Sequence, residues 1–288
     1  MLVRHLAFLL FAHLLAAQST VPNPLESADA LRNRGEYGEA IAVLESFVQS
    51  VQSERSEAGD SAPAWILLGS AYQDVGRYQE AQRAYQHAIS ITRDRPGRER
   101  EQAVALDNLG SLYFESGQLE ISKRLRLRVL KIAQKSGDHA FLARIYNNLT
   151  AVASQRKEIS EARKWIAHAL AEIKLVAQVD ADDIAAISNN AGWLSIRDRD
   201  YQQASDYYEA ALQSWIEKHG MNHQLTGWGF VLRGQIHALR GDYGAGLKDL
   251  ETGLGIIEKT VGTGVPLYFS ARLAYCDVLS KEIGRAHV

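Results

Sequence analysis

Three asparagines stand where side-chain chemistry could act on another molecule. Asn108, Asn148 and Asn190 each sit directly ahead of a Leu or Ala that is followed by Gly or Thr, and Asp107, Asn147 and Asn189 stand one residue before them. They return at intervals of about forty residues, so in a repeating fold they stack into a row. A carboxamide is both donor and acceptor, which suits an extended polypeptide read through its main chain. Asn is a middling helix former, so packing or binding has to account for such a row inside helices. Two readings stay open: the amides grip a bound segment, or they tie neighbouring helices together. Gln73, Ser111, Trp193 and Gln235, which follow the Leu-Gly pair or its equivalent, belong to the same face. Trp193 and Trp228 offer apolar contact beside the amides.

Other chemistries find no support. The chain has no Gly-rich phosphate loop ending in Lys-Ser or Lys-Thr and no His-Glu-x-x-His. Gly253-Leu-Gly255 and Gly262-Thr-Gly264 lack the strand context and third glycine of a dinucleotide fingerprint, and read as a weak spot in a helix and a loop. His219 and His223 have i, i+4 spacing, but Gly220 and Asn222 between them indicate a loop without further metal ligands nearby. Asp180-Ala-Asp182-Asp183 lacks the Gly and distal Glu of a calcium loop and reads as acidic residues opening a helix. Lys123, Arg124, Arg126, Arg128 and Lys131 make one helix basic without interleaved aromatics, a solvated face rather than a nucleic-acid surface. The net charge of −2 agrees. Asn148-Leu-Thr150 fits a glycosylation sequon but falls in helix-packing positions. The single cysteine, Cys276, lies in an apolar helical stretch and is expected as a small core residue. No catalytic, metal or cofactor site is expected.

The elements that position these residues follow from one cadence. Gly35-x-Tyr37-x-x-Ala40 returns as Gly76-x-Tyr78-x-x-Ala81, Gly117-x-Leu119, Lys157-x-Ile159-x-x-Ala162, Arg199-x-Tyr201-x-x-Ala204 and Gly241-x-Tyr243-x-x-Gly246. A fixed period in this range signals a stack of supersecondary units. Within a unit, Trp65-x-x-Leu68-Gly69-x-x-Tyr72 precedes the turn at Gly76, and Ala81, Tyr85 and Ala88 follow it, all at helical spacing. Each unit is therefore a helical hairpin. Gly69, Gly110, Gly192 and Gly234 interrupt helical pattern at one recurring place, where each costs about 1 kcal/mol relative to Ala. A recurrent cost implies a close approach of two helices, with Ala81 and Ala88 as the facing small positions. First helices are expected over 25–34, 61–75, 98–116, 139–156, 182–198 and 224–240. Second helices are expected over 37–54, 78–93, 119–136, 159–178, 201–219 and 243–261. Leu267, Phe269, Leu273, Tyr275 and Val278 add one helix of a seventh unit.

The run Trp65-x-x-Leu68-Gly69-x-x-Tyr72 with Ala81 and Ala88 resembles the tetratricopeptide repeat. The long period is similar to that of kinesin light chains and many bacterial repeat proteins, as is Gly220-Met-Asn-His223 between units. The resemblance implies an all-α, right-handed α-solenoid of stacked hairpins over residues 20–282, six repeats and half of another. It also implies that the first helices line a concave groove, in which asparagines at this place hydrogen-bond the backbone of a bound peptide. Thr150 for Gly, Lys157 and Arg199 for the turn Gly, and Ser122 for Ala depart from the pattern, and the fourth unit departs most. The function expected is a non-catalytic scaffold for a protein or peptide partner, with no role for nucleic acid. The alternative is the N-terminal regulatory region of a larger enzyme, since similar bacterial proteins continue into a caspase-like protease or a sensor kinase.

The two ends read differently from the repeats. Residues 1–19 have a short basic start, an apolar run from Leu6 to Leu15 that is too short to span a bilayer, and small residues at Ala16, Ala17 and Ser19. That is the layout of a secretory signal peptide, so export to the periplasm or outside is expected. Residues 283–288, Ile-Gly-Arg-Ala-His-Val, resemble the translation of a sequencing adapter. With the missing partner helix of the seventh unit, they mark the sequence as the expected piece of a longer gene.

Overall fold

The structure is a computed structural model that describes residues 23–53 and 61–286. The expected export signal at 1–19 and residues 287–288 lie outside the described residues. These form thirteen helices and no strand, an all-α solenoid of hairpins. The first helices are α1 (Pro24–Asn33), α3 (Ala62–Asp74), α5 (Glu99–Glu115), α7 (His139–Gln155), α9 (Ala181–Arg197), α11 (Gln224–Leu239) and α13 (Pro266–Ala286). The second helices are α2 (Tyr37–Ser53), α4 (Tyr78–Thr92), α6 (Leu119–Ser136), α8 (Ile159–Ile173), α10 (Tyr201–His219) and α12 (Tyr243–Val261). Ile283 to Ala286 of the expected tail continue α13. The described residues divide into two compact parts, one up to Leu112 and one from Tyr113 onward. Among the described residues no helix is long and apolar enough to cross a membrane.

Helix limits match the expected ones to within a residue or two, except that α8 ends at Ile173 rather than 178. There Leu175 N–H donates to Glu172 O and Val176 N–H to Ile173 O, a tightening that ends the helix and leaves Leu175 in solvent.

Every hairpin turn is one device repeated. Glu36, Arg77, Gln118, Glu158, Asp200 and Asp242 each donate an N–H back to the last turn of the preceding helix, at 2.8–3.0 Å, onto Leu31, Tyr72, Tyr113, Ala153, Ser195 and His237. These are the 6→1 bonds of a Schellman motif, and they satisfy carbonyls that the helix end would leave bare. The motif requires a left-handed residue, supplied by Gly76 (φ 76°) and its equivalents. Lys157 (φ 62°) and Arg199 (φ 61°) adopt the same conformation without being glycine. The backbone demand of the turn therefore survives the loss of its preferred residue.

Between the helices of the α3–α4 and α9–α10 hairpins, the small residue faces an aromatic ring rather than an alanine. A Cβ placed on Gly69 would lie 2.5 Å from Tyr85 Cε1, and one on Gly192 would lie 2.6 Å from Tyr208 Cε1. Ala81 and Ala88 are fully buried but are not the residues that crowd the glycine. In the α7–α8 hairpin both sides change together. Thr150 occupies the glycine position, fully buried with its hydroxyl donating to Tyr146 O at 2.9 Å, and Ile166 stands in the register of the tyrosine. A larger residue on one helix is matched by a smaller one on the other.

The α11–α12 hairpin is built differently. A Cβ on Gly227 would meet Gly253 O at 2.9 Å, one on Gly253 would meet Gly227 O at 2.4 Å, and one on Gly234 would meet Gly246 O at 2.7 Å. Two pairs of glycines thus bring the backbones of these helices together. Gly253, expected as a weak spot, is one of its closest contacts. Cys276, expected in the core, is exposed on α13. It stands in the register of Gly234, but no second helix covers that side of α13 among the described residues.

Candidate functional site

The asparagine row is built on the first helices, each compact part carrying its own portion. In the first part, Asn108 of α5 is half-buried and its Nδ2 lies 3.5 Å from Ser70 Oγ of α3. Ser70 follows Gly69 directly, so Ser70 rather than Gln73 is the register equivalent of Ser111 and Trp193. Gln73 lies a turn further along and turns toward its own hairpin, accepting from Tyr85 Oη at 3.1 Å. Ser111 is half-buried on α5.

In the second part the row resolves into two kinds of amide. Asn190 of α9 donates through Nδ2 to Asn147 Oδ1 of α7 at 2.8 Å, and Asn147 is buried. This pair ties adjacent first helices together. Asn148 is half-buried, and its backbone carbonyl accepts from Arg126 Nη1 at 3.1 Å. Asn189 and Gln235 are also half-buried, and neither side chain hydrogen-bonds to another described residue. Trp193 lies one helical turn beyond Asn189, half-buried, with the Arg197 guanidinium 5.0 Å from its ring centre. Gln235 holds the register of Trp193 on the next first helix. A cleft of about 390 Å³ opens beside it, walled by Ile196, Ala238 and Leu239 and edged by Asp277 and Lys281, themselves paired at 2.7 Å. Trp228, expected to offer an apolar pocket on this face, packs instead against the core on both sides of α11.

The charges around this face are mostly engaged with each other. Arg233 forms a two-pronged pair with Asp249 (2.7 and 3.0 Å) and reaches Glu209 at 3.0 Å, linking α10, α11 and α12. The Asp249 hydrogen bond, above all, holds its guanidinium above the usual arginine range. Burial pushes the Asp183 carboxyl at the start of α9 upward. On α6, Lys123 pairs with Glu158 and Glu161 at 3.1 and 2.6 Å, while Arg124, Arg128 and Lys131 are exposed. Arg126 departs from the expected solvated face. It is buried, with its guanidinium 5.3 Å from the Phe114 ring centre. It occupies the register of Tyr85 and Tyr208, which is the signal in the sequence that marked it as a packing residue.

Residues 60–125 and 101–171 match the family model described as "Tetratricopeptide repeat". A curated relative, Protein KINESIN LIGHT CHAIN-RELATED 2 of Arabidopsis thaliana, is 27% identical over 189 residues, which cover 63% of this chain and 28% of that protein. Among solved structures, BtubC (BKLC) from P. vanneervenii superposes with a TM-score of 0.61 at 18% identity, covering 83% of this chain and 91% of that one. The pilF protein of Pseudomonas aeruginosa does so with a TM-score of 0.57 at 16% identity, covering 87% of this chain and 95% of that one. At these identities the likeness to the solved structures is one of fold.

Proposed function

The chain is a tetratricopeptide repeat protein of the long-period, kinesin-light-chain-like type, and from that premise we propose that it is a non-catalytic scaffold binding an extended segment of a partner protein. The binding face is the one lined by α7, α9, α11 and α13. The observation that carries the reading is the division of labour among its amides. Asn190 donates to Asn147, and that bond ties two adjacent first helices together. Asn189 and Gln235, on the same face, keep donor and acceptor free for an incoming main chain. Trp193 stands between them with an amphipathic ring, and the neighbouring cleft can take an apolar side chain. The export expected from residues 1–19 is part of the proposal and places the partner outside the cytoplasm.

A peptide panel screened against the recombinant chain tests the reading. Each lost main-chain hydrogen bond is worth about 0.5–1.5 kcal/mol, so Asn189→Ala and Gln235→Ala should each weaken a captured peptide by about 2- to 10-fold. Trp193→Ala should weaken it more. Unchanged affinity for every captured peptide in all three variants would remove the groove as the binding site.

A further inference from the structure

The junction between α10 and α11 carries a side-chain cluster that the groove does not use. α10 ends at His219, Gly220 turns the chain, and His223 caps α11. His223 Nδ1 accepts the Leu225 N–H at 3.3 Å, and the two imidazoles lie face to face, 4.3 Å between centres and 15° between planes. Both rings are partly buried. The charged groups around them come from both preceding helices: Asp182 of α9 with its cap Asp180, and Lys218 and His219 of α10. His219 Nε2 lies 2.7 Å from Asp182 Oδ1, and Lys218 Nζ lies 2.7 Å from both Asp180 and Asp182.

The nature of the cap is informative. Asn23, Asp138 and Asp180 cap the first helices α1, α7 and α9 with oxygen acceptors. An amide or carboxylate keeps its acceptor through the neutral and mildly acidic range. An imidazole keeps it only while neutral, with the proton on Nε2 and the lone pair on Nδ1. A second proton on Nδ1 points a donor at the Leu225 N–H, at a helix N-terminus that already disfavours positive charge. The positive charge that comes with it spreads over a ring stacked on His219, with Lys218 in the adjoining position of α10.

We propose that the α10–α11 junction is an acid-triggered hinge, in which protonation of His223 uncaps α11 and loosens the α11–α12 hairpin from the α9–α10 hairpin. Burial first, and His219 second, hold the His223 imidazole below its ordinary range, with Asp182 opposing them weakly. A lowered folded pKa means that the unfolded state binds the proton more readily, so stability falls as pH falls. The loss begins near the ordinary imidazole value of about 6.5 and is complete below the lower, folded value. Within that window the open population rises about tenfold per pH unit, one proton being taken up. The hinge stands or falls independently of what the groove binds.

Hydrogen exchange on the whole chain, wild type against His223→Asn, tests this. Asn caps α1 in the same way and does not titrate, and beyond residue 224 comparing the two at each pH cancels the intrinsic exchange chemistry. In peptides covering 225–230, the wild-type to variant rate ratio should rise between pH 7.5 and pH 5 by about 2- to 30-fold, the loss of one N-cap of about 0.5–2 kcal/mol, while peptides from α7 and α8 stay flat. A ratio that does not change with pH overturns the hinge. His219→Gln keeps a polar partner for Asp182 and removes the facing ring, so the midpoint should move to higher pH. A midpoint that stays in place overturns the stacked pair as its element.

Discussion

Gly253→Ala is the sharpest test of the α11–α12 packing. A methyl group at this position would sit 2.4 Å from Gly227 O and 3.1 Å from Val231 N, with Val231 Cγ2 at 2.9 Å. Two of these three obstacles are backbone atoms that no rotamer change can move, so the helices must part. Overpacking of this kind costs about 1–3 kcal/mol, and a backbone obstacle places this case near the upper end. Ala gains about 1 kcal/mol over Gly in a helix interior, which leaves a net loss of about 2 kcal/mol. Gly255, two residues along the same helix, has nothing within 4 Å of an added Cβ, so the identical change there is expected to stabilise. Repeat arrays need not unfold in one step, so local hydrogen exchange is the suitable assay. Amides of α11 and α12 should exchange about 30-fold faster in Gly253→Ala and up to about 5-fold slower in Gly255→Ala. If the two variants shift together, or if Gly253→Ala exchanges like the wild type, the close glycine approach is wrong.

Two further outcomes follow from the same packing logic. Thr150→Gly opens space in the α7–α8 hairpin and should cost about 1–2 kcal/mol, and Ile166→Tyr overfills it at about 1–3 kcal/mol. The double variant restores the Gly–Tyr pairing of the α3–α4 and α9–α10 hairpins, so denaturation midpoints should recover by about 1 kcal/mol or more over the sum; strict additivity would contradict the compensation. Lys157→Gly relieves a left-handed residue at φ 62° and should raise stability by about 0.5–1 kcal/mol, read as a higher melting temperature. Gly76→Ala at the equivalent turn should lower it, and a loss in both would discount strain at Lys157.

The repeat was legible because its turn and packing residues obey local rules. A left-handed turn wants Gly, a buried hairpin seam wants Gly and Ala, and both recur at fixed spacing whatever the neighbours do. Even Lys157 and Arg199, which break the cadence in composition, keep it in conformation. The candidate face was legible only in outline. Asn189 and Asn190 are adjacent and alike in sequence, yet one is free and the other bonded to Asn147. Their bearings on α9 differ by about 100°, the helical step of one residue, and only one points along the line to α7. Gln73 was assigned to the face although Ser70 holds the register, and Trp228 was read as offering apolar contact beside the amides although it packs, half-buried, against two core clusters.

By itself, then, the sequence determined the architecture: helical hairpins of fixed period, their turns, and the helices that carry the amides. These follow from backbone preferences and apolar spacing, which act over a few residues. The tertiary structure decided what each polar side chain does, because hydrogen bonds and ring contacts depend on distances across helices that are far apart in the chain. It made Arg126 a buried strut, brought Gly227 against Gly253, stacked His219 on His223, and left Asn189 and Gln235 unspent.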